Sequence, residues 1–311
     1  MSQTTEWKNR LTGSLRRGVF SGLNTTWILV KVMVPTMVVV HLLKMTGLLE
    51  LIAGVTSPLM DLFKLPGEAS LVLITGGLVN IYAAIAVAVN IPLTSGEMTV
   101  LAIMVLIAHN LIVETAVQSR AGTPAPVMLA ARIGAAVIAG LLFSRVVAAG
   151  GSKVVRAGWH SREKSWVEIL AGNGASLAKI ALIIIGLMLV IEFLREFGIM
   201  DRITRFLERP MKFLGMDHES SFVVAVGLLL GLAYGAGLII EEAQRSRIGK
   251  KQILAANLFL GTNHALIEDS IIFAAVGAHL GWIILGRLVF GIIFLKVATP
   301  LALPLIDSRL P

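Results

Sequence analysis

The sequence contains no cysteine, which excludes disulfides, thiolate metal sites and iron–sulfur clusters together. Charge is also scarce. Asp, Glu, Lys and Arg make up 15% of 311 residues, where a soluble domain carries roughly 25%. A water-soluble globule of this length could not cover its surface with so few charges. Period-two alternation is missing from long apolar runs such as Val100 to Val113, which argues against a transmembrane β-barrel. The sequence holds no glycine-rich phosphate loop, no His-Glu-x-x-His and no Gly-x-Ser-x-Gly, so a non-enzyme is expected and no cofactor is implied. No cleavable leader is expected either, because the first apolar block starts near Asn24, is too long for a signal core and lacks a cleavage pattern after it.

What the sequence does have is apolar length. Hydrophobic residues are 56% of the chain and the mean hydropathy is +0.84. They arrive in blocks of about 20, the length that crosses a hydrocarbon core of roughly 30 Å. The expected fold is therefore all-α, a polytopic transmembrane protein of about eight spans, near 24–45, 70–92, 98–119, 127–149, 174–196, 220–241, 251–276 and 281–303. Residues 1–22 read as an amphipathic arm on the membrane surface, and 48–64 and 199–214 as interfacial or re-entrant helices. The net charge of +8 does not point to nucleic acid, because the basic residues gather between apolar blocks, where topology and anionic lipid account for them. Lys8, Arg10, Arg16 and Arg17, then Lys153, Arg156, Arg162 and Lys164, then Arg245, Arg247, Lys250 and Lys251 fall on one side. The positive-inside rule makes that side the cytoplasm of an inner-membrane, multi-pass protein with a cytoplasmic N-terminus. The basic stretch 195–212 dissents from this arrangement.

An internal repeat organises the remaining charges. Gly47-Leu-Leu-Glu matches Gly198-Ile-Met-Asp, Glu68-Ala-Ser matches Glu219-Ser-Ser, and Gly76 matches Gly227 at one offset. After a small insertion, His109-Asn110-x-x-x-Glu114-Thr115 matches Asn263-His264-x-x-x-Glu268-Asp269, and Arg132 then matches Arg287. The chain thus divides into an arm (1–22), a first repeat (23–150), a basic cytoplasmic loop (151–173) and a second repeat (174–306). Repeats of this kind build secondary transporters, with the site where the halves meet.

Polar side chains inside apolar blocks are costly, so they are candidates for function. Asn110 and Glu114 share one helix face, and His264 and Glu268 share another at the matched position. The candidate substrate or ion site is His109, Asn110, Glu114, Thr115, Asn263, His264, Glu268 and Asp269. Arg132 and Arg287 are expected to pair with Glu114 and Glu268, and such pairs either lock helices together or meet the solute. Asn80, Tyr82 and Tyr234 are candidate cavity-lining residues beside glycine-rich stretches.

With their glycine-rich helix followed by a polar-centred helix, the two halves resemble the Gate, or nucleoside-recognition, membrane family. That family includes spore maturation membrane proteins and the membrane part of ferrous iron permeases, and it is distantly related to concentrative nucleoside transporters. The resemblance implies an oligomeric membrane protein of transporter-like fold. The sequence departs from it in holding no Gln-Thr-Glu or Ser-Pro-Glu nucleoside signature and no GTPase.

Three functional readings follow. The first is a secondary transporter or permease for a small polar or charged solute, nucleoside-like or other, coupled to protons through Glu114, Glu268 and Asp269. The second is a divalent-cation permease using the same His/Asn/Glu/Asp cluster. The third is a non-transporting membrane scaffold or assembly factor. The expected partners are the lipid bilayer, the solute or cation and further copies of the chain.

Overall fold

The computed structural model describes residues 3–147, 154–155, 178, 181–186, 188–190, 192–194, 196–216, 220–221, 223–225, 227–229, 231–232, 240 and 248–307, some helical positions as backbone alone. The chain is mostly helical. Its first helix, α1, runs unbroken from Gln3 to Met45, so the polar arm expected at 1–22 and the apolar block after it are one element. The polar part of α1 is held by described helical residues, among them Ile185, Leu189, Glu192 and Glu196. A Cβ on Gly18 or Gly22 would collide with the backbone at Leu189 and Ile185, so these two small residues let the helices touch. Arg10 pairs with Glu196 at 2.9 Å, and Arg17 reaches both Glu192 and Glu196.

The short helices expected near 48–64 and 199–214 are present as α2 (Leu48–Asp61) and α8 (Ile199–Phe213). Each follows a glycine in the left-handed region, Gly47 with φ 73° and Gly198 with φ 63°, a conformation that costs glycine little.

The apolar blocks that carry the polar candidates are broken rather than continuous. The 70–92 block forms α3 (Ala69–Leu78) and α4 (Ile81–Ala88), the 98–119 block forms α5 (Ser95–Ala108) and α6 (Leu111–Arg120), and the 251–276 block forms α9 (Lys250–Asn263) and α10 (Glu268–Ala275). A broken helix survives at membrane depth only where its freed backbone groups find new partners. Here the breaks supply each other: Asn110 N–H donates to Gly76 O at 2.8 Å, Ala265 N–H to Gly227 O at 3.1 Å and Leu266 N–H to Leu228 O at 3.0 Å. Gly76 and Gly227 permit this approach, since a Cβ on either would press on Val105 or Leu260 respectively.

Two long helices flank the broken ones. They are α7 (Ala125–Val146) and α11 (Arg287–Asp307), the latter preceded by a π-helical turn at Trp282–Gly286. Among the described residues, Ala125–Val146 and Trp282–Ile306 are long and apolar enough to cross a membrane, and the α5–α6 pair, bent by 41°, passes the same test only when its two helices are taken together. Their outer faces remain apolar. Val289, Ile293, Val297, Leu301 and Leu305 recur at four-residue intervals on α11, and all are exposed, a stripe suited to lipid rather than water. The only sheet among the described residues is a two-residue antiparallel pairing of Leu93–Thr94 with Val154–Val155. Beside it, Thr94 and Glu97 form a reciprocal capping box that starts α5.

Candidate functional site

The site forms at the two breaks that end α5 and α9. Each of these helices ends on a histidine in extended backbone, His109 and His264, and the next residue turns left-handed, Asn110 at φ 48° and Ala265 at φ 45°. The corner directs each imidazole inward. His109 Nδ1 lies 3.2 Å from Val105 O, His264 Nδ1 lies 2.8 Å from Leu260 O, and the two Nε2 atoms face each other at 3.3 Å across 155 residues of sequence. The rings sit 4.8 Å apart between centroids.

Carboxylates from the following helices close on this pair. Glu114, on the first turn of α6, places Oε1 3.4 Å from His109 Nε2 and Oε2 3.1 Å from His264 Nε2. Asp269, on the first turn of α10, places Oδ2 3.7 Å from His109 Nε2. All four side chains are buried.

The two arginines serve the breaks before they serve anything else. A helix that stops inside the protein leaves its last carbonyls without intrahelical partners. Arg132, from α7, donates from Nε to Ile107 O at 3.0 Å and from Nη2 to His109 O at 2.7 Å. Arg287, from α11, donates from Nε to Thr262 O at 3.1 Å and from Nη2 to His264 O at 3.1 Å and Leu106 O at 3.4 Å. They are 1% and 0% exposed, so each guanidinium is a buried plug for an open helix end. Arg132 also pairs with Glu114 Oε2 at 2.8 Å, as the sequence predicts. Arg287, expected to pair with Glu268, donates to carbonyls from Nε and Nη2.

The sequence match sets His109 against Asn263 and Glu114 against Glu268, whereas the bonds of His109 and Arg132 recur at His264 and Arg287, 155 residues on. The left-handed residues that create the corners, Asn110 and Ala265, fix this phase, and Arg132 and Arg287 already sit at the same spacing.

The remaining candidates take other places. Asn110 forms the corner. Asn263 is buried within α9 and donates to Thr262 Oγ1 and Phe259 O. Thr115 and Glu268 are buried near their helix starts. Asn80 caps α4 by accepting from Ala83 N–H at 2.9 Å, and Tyr82 packs against the apolar core. Tyr234 lies outside the described residues. Sequence reading missed Gln118 and Asn257, which exchange bonds between α6 and α9: Gln118 Nε2 donates to Asn257 O at 2.8 Å and Asn257 Nδ2 to Gln118 O at 3.2 Å. Both are polar residues inside apolar blocks, which was the available signal.

The left-handed alanine carries a prediction. An L-residue in this region costs roughly 1–2 kcal/mol, so Ala265→Gly is expected to stabilise the protein by about 0.5–1 kcal/mol. Thermal unfolding in detergent reads the gain, and a loss of stability would show that the alanine methyl matters more than the corner.

Residues 177–280 match the family model Gate, described as nucleoside recognition, a range that holds His264 and Asp269. The chain is 34% identical over 268 residues to the uncharacterized membrane protein YvoD of Bacillus subtilis (strain 168), covering 84% of this chain and 86% of that protein. No solved structure matches. The chain is a membrane protein and belongs to the Gate, or nucleoside-recognition, family.

Proposed function

We propose that the protein is a membrane permease for a small polar or charged solute, with its pathway running past His109, His264, Glu114 and Asp269. In this reading the chain is two homologous halves, about 23–150 and 174–306, making about eight crossings of an inner membrane with the N-terminus in the cytoplasm. Copies of the chain associate, and the centre lies where the halves meet.

One observation carries the proposal. Two imidazoles and two carboxylates converge at the breaks of two helices in a chain with very little charge to spend. Broken helices meeting at buried polar side chains are the construction by which transporters hold a solute within the bilayer. The matched bonds at Val105 and Leu260, Ile107 and Thr262, and His109 and His264 support a duplicated origin for the centre. Carboxylates facing imidazoles also supply a route for coupled protons.

Uptake into proteoliposomes tests the reading. Nucleosides, amino acids, organic acids and divalent cations are offered to wild type, Glu114→Gln and Asp269→Asn under an imposed proton gradient. Transport of at least one solute, reduced at least about tenfold in both variants, is expected for removal of pathway charge. Uptake unchanged in both folded variants, or no transport of any solute by wild type, overturns the proposal.

A further inference from the structure

A carbonyl oxygen only accepts hydrogen bonds. The contacts of His109 Nδ1 with Val105 O and of His264 Nδ1 with Leu260 O therefore place a proton on each Nδ1. In the neutral ring the other nitrogen is then a bare lone pair. Both Nε2 atoms point at each other at 3.3 Å, Glu114 lies within 3.4 Å of both, and Asp269 lies 3.7 Å from that of His109. Two bare imidazole nitrogens and a carboxylate thus face one another in a buried space, and Arg132, on the Oε2 of Glu114, satisfies neither nitrogen.

From this we infer that the centre binds a first-row divalent cation of the Fe2+, Co2+ and Zn2+ kind, with His109 Nε2, His264 Nε2 and Glu114 as its ligands and Asp269 beside His109. The spacing fits. Metal–nitrogen bonds of about 2.0–2.1 Å in a tetrahedral site put neighbouring ligand atoms about 3.3–3.4 Å apart. The two nitrogens are 3.3 Å apart, and the two oxygens of Glu114 lie 3.4 Å from His109 Nε2 and 3.1 Å from His264 Nε2. Ligand atoms of His109, Glu114 and His264 all fall within 4.8 Å of one another. The Nδ1–carbonyl bonds have the form of the outer contacts that orient metal-binding imidazoles. Two imidazoles in the set favour these ions over Mg2+ and Ca2+, which take oxygen ligands.

The arginines make the site one that releases its ion. Glu114 and Asp269 are balanced by Arg132 and Arg287, so the set offers a divalent cation little net negative charge, and Glu114 shares Oε2 with Arg132. Weak holding suits cargo in passage. The ion's role as cargo rests on the permease reading; the binding site does not.

Metal binding to purified full-length protein in detergent tests the site, using calorimetry with Zn2+ and Co2+ and the visible spectrum of bound Co2+. The expected result is one equivalent per chain with a tetrahedral Co2+ spectrum, little effect of excess Mg2+, and affinity at least about tenfold weaker in His109→Gln and in His264→Gln. Unfolding curves of both variants establish that they fold. Folded wild type that binds neither ion, or binding equal in wild type and both folded variants, overturns the inference. If Zn2+ binds as expected but no solute crosses the proteoliposome membrane, the permease reading fails and the site stands. If a solute is transported in a Glu114-dependent manner and neither ion binds, the metal site fails and the permease reading stands.

Discussion

Arg132→Met is expected to destabilise the protein by roughly 3–5 kcal/mol, the cost of removing one partner from a buried charge pair. The side chain is 1% exposed and makes three contacts, to Ile107 O, His109 O and Glu114. Methionine fills much of the volume and satisfies none of these atoms. Two carbonyls at the end of α5 and one carboxylate then remain buried without their donor, and none can reach water. The double variant Glu114→Gln/Arg132→Met removes the stranded charge as well, so its loss is expected to be smaller than the sum of the two single losses by at least about 1 kcal/mol. Denaturation of each variant in mixed micelles provides the cycle. A single variant within about 0.5 kcal/mol of wild type, the ordinary range for surface changes, would remove the arginine from any part in closing the break.

Gly291→Ala is expected to cost about 1–3 kcal/mol by overpacking. A methyl at this position of α11 would collide with Asn263 Nδ2 and Thr262 Oγ1 on α9. Neither is a loose end. Asn263 Nδ2 donates to Thr262 Oγ1 at 2.8 Å, and Thr262 O receives Arg287 Nε at 3.1 Å. Relief of the collision therefore moves α11 away from the carbonyl that its own arginine holds. Gly281→Ala is the control: a Cβ there meets nothing within 4 Å, and its stability should match wild type or exceed it, since alanine favours helix. Equal melting of the two variants would show that the α9–α11 approach is looser than its glycine implies.

Much of this centre is legible in the sequence, because charge inside an apolar block is expensive wherever the block ends up. His109, Glu114, His264, Asp269, Arg132 and Arg287 stand out on that ground, and Glu114 does pair with Arg132. The breaks are not legible. The corners are His-Asn and His-Ala, with neither proline nor glycine to mark them, so an apolar run of helical length reads as one continuous helix. Reading through a break rotates every later residue to the wrong face. The arginines' principal role was hidden for the same reason, since an open carbonyl has no signature until the helix is known to stop. At the other end of the chain, the polarity of residues 1–22 suggested a separate arm, whereas α1 continues through them because Arg10 and Arg17 find Glu192 and Glu196.

During synthesis, Thr99, Gln118 and Thr123 emerge long before the groups that clasp them. Gln118 waits 139 residues for Asn257, and Thr99 waits 180 for His279, whose N–H it accepts at 2.9 Å. Thr123 receives Asn257 Nδ2 at 2.8 Å, and Ser95 donates to Gly277 O. The clasps run in both directions, α9 held at the end of α6 and α5 held just beyond the end of α10. A chain that ends before these partners would hold His109 without His264 and Gln118 without Asn257. The centre therefore needs both parts of the chain, since His264 follows His109 by 155 residues.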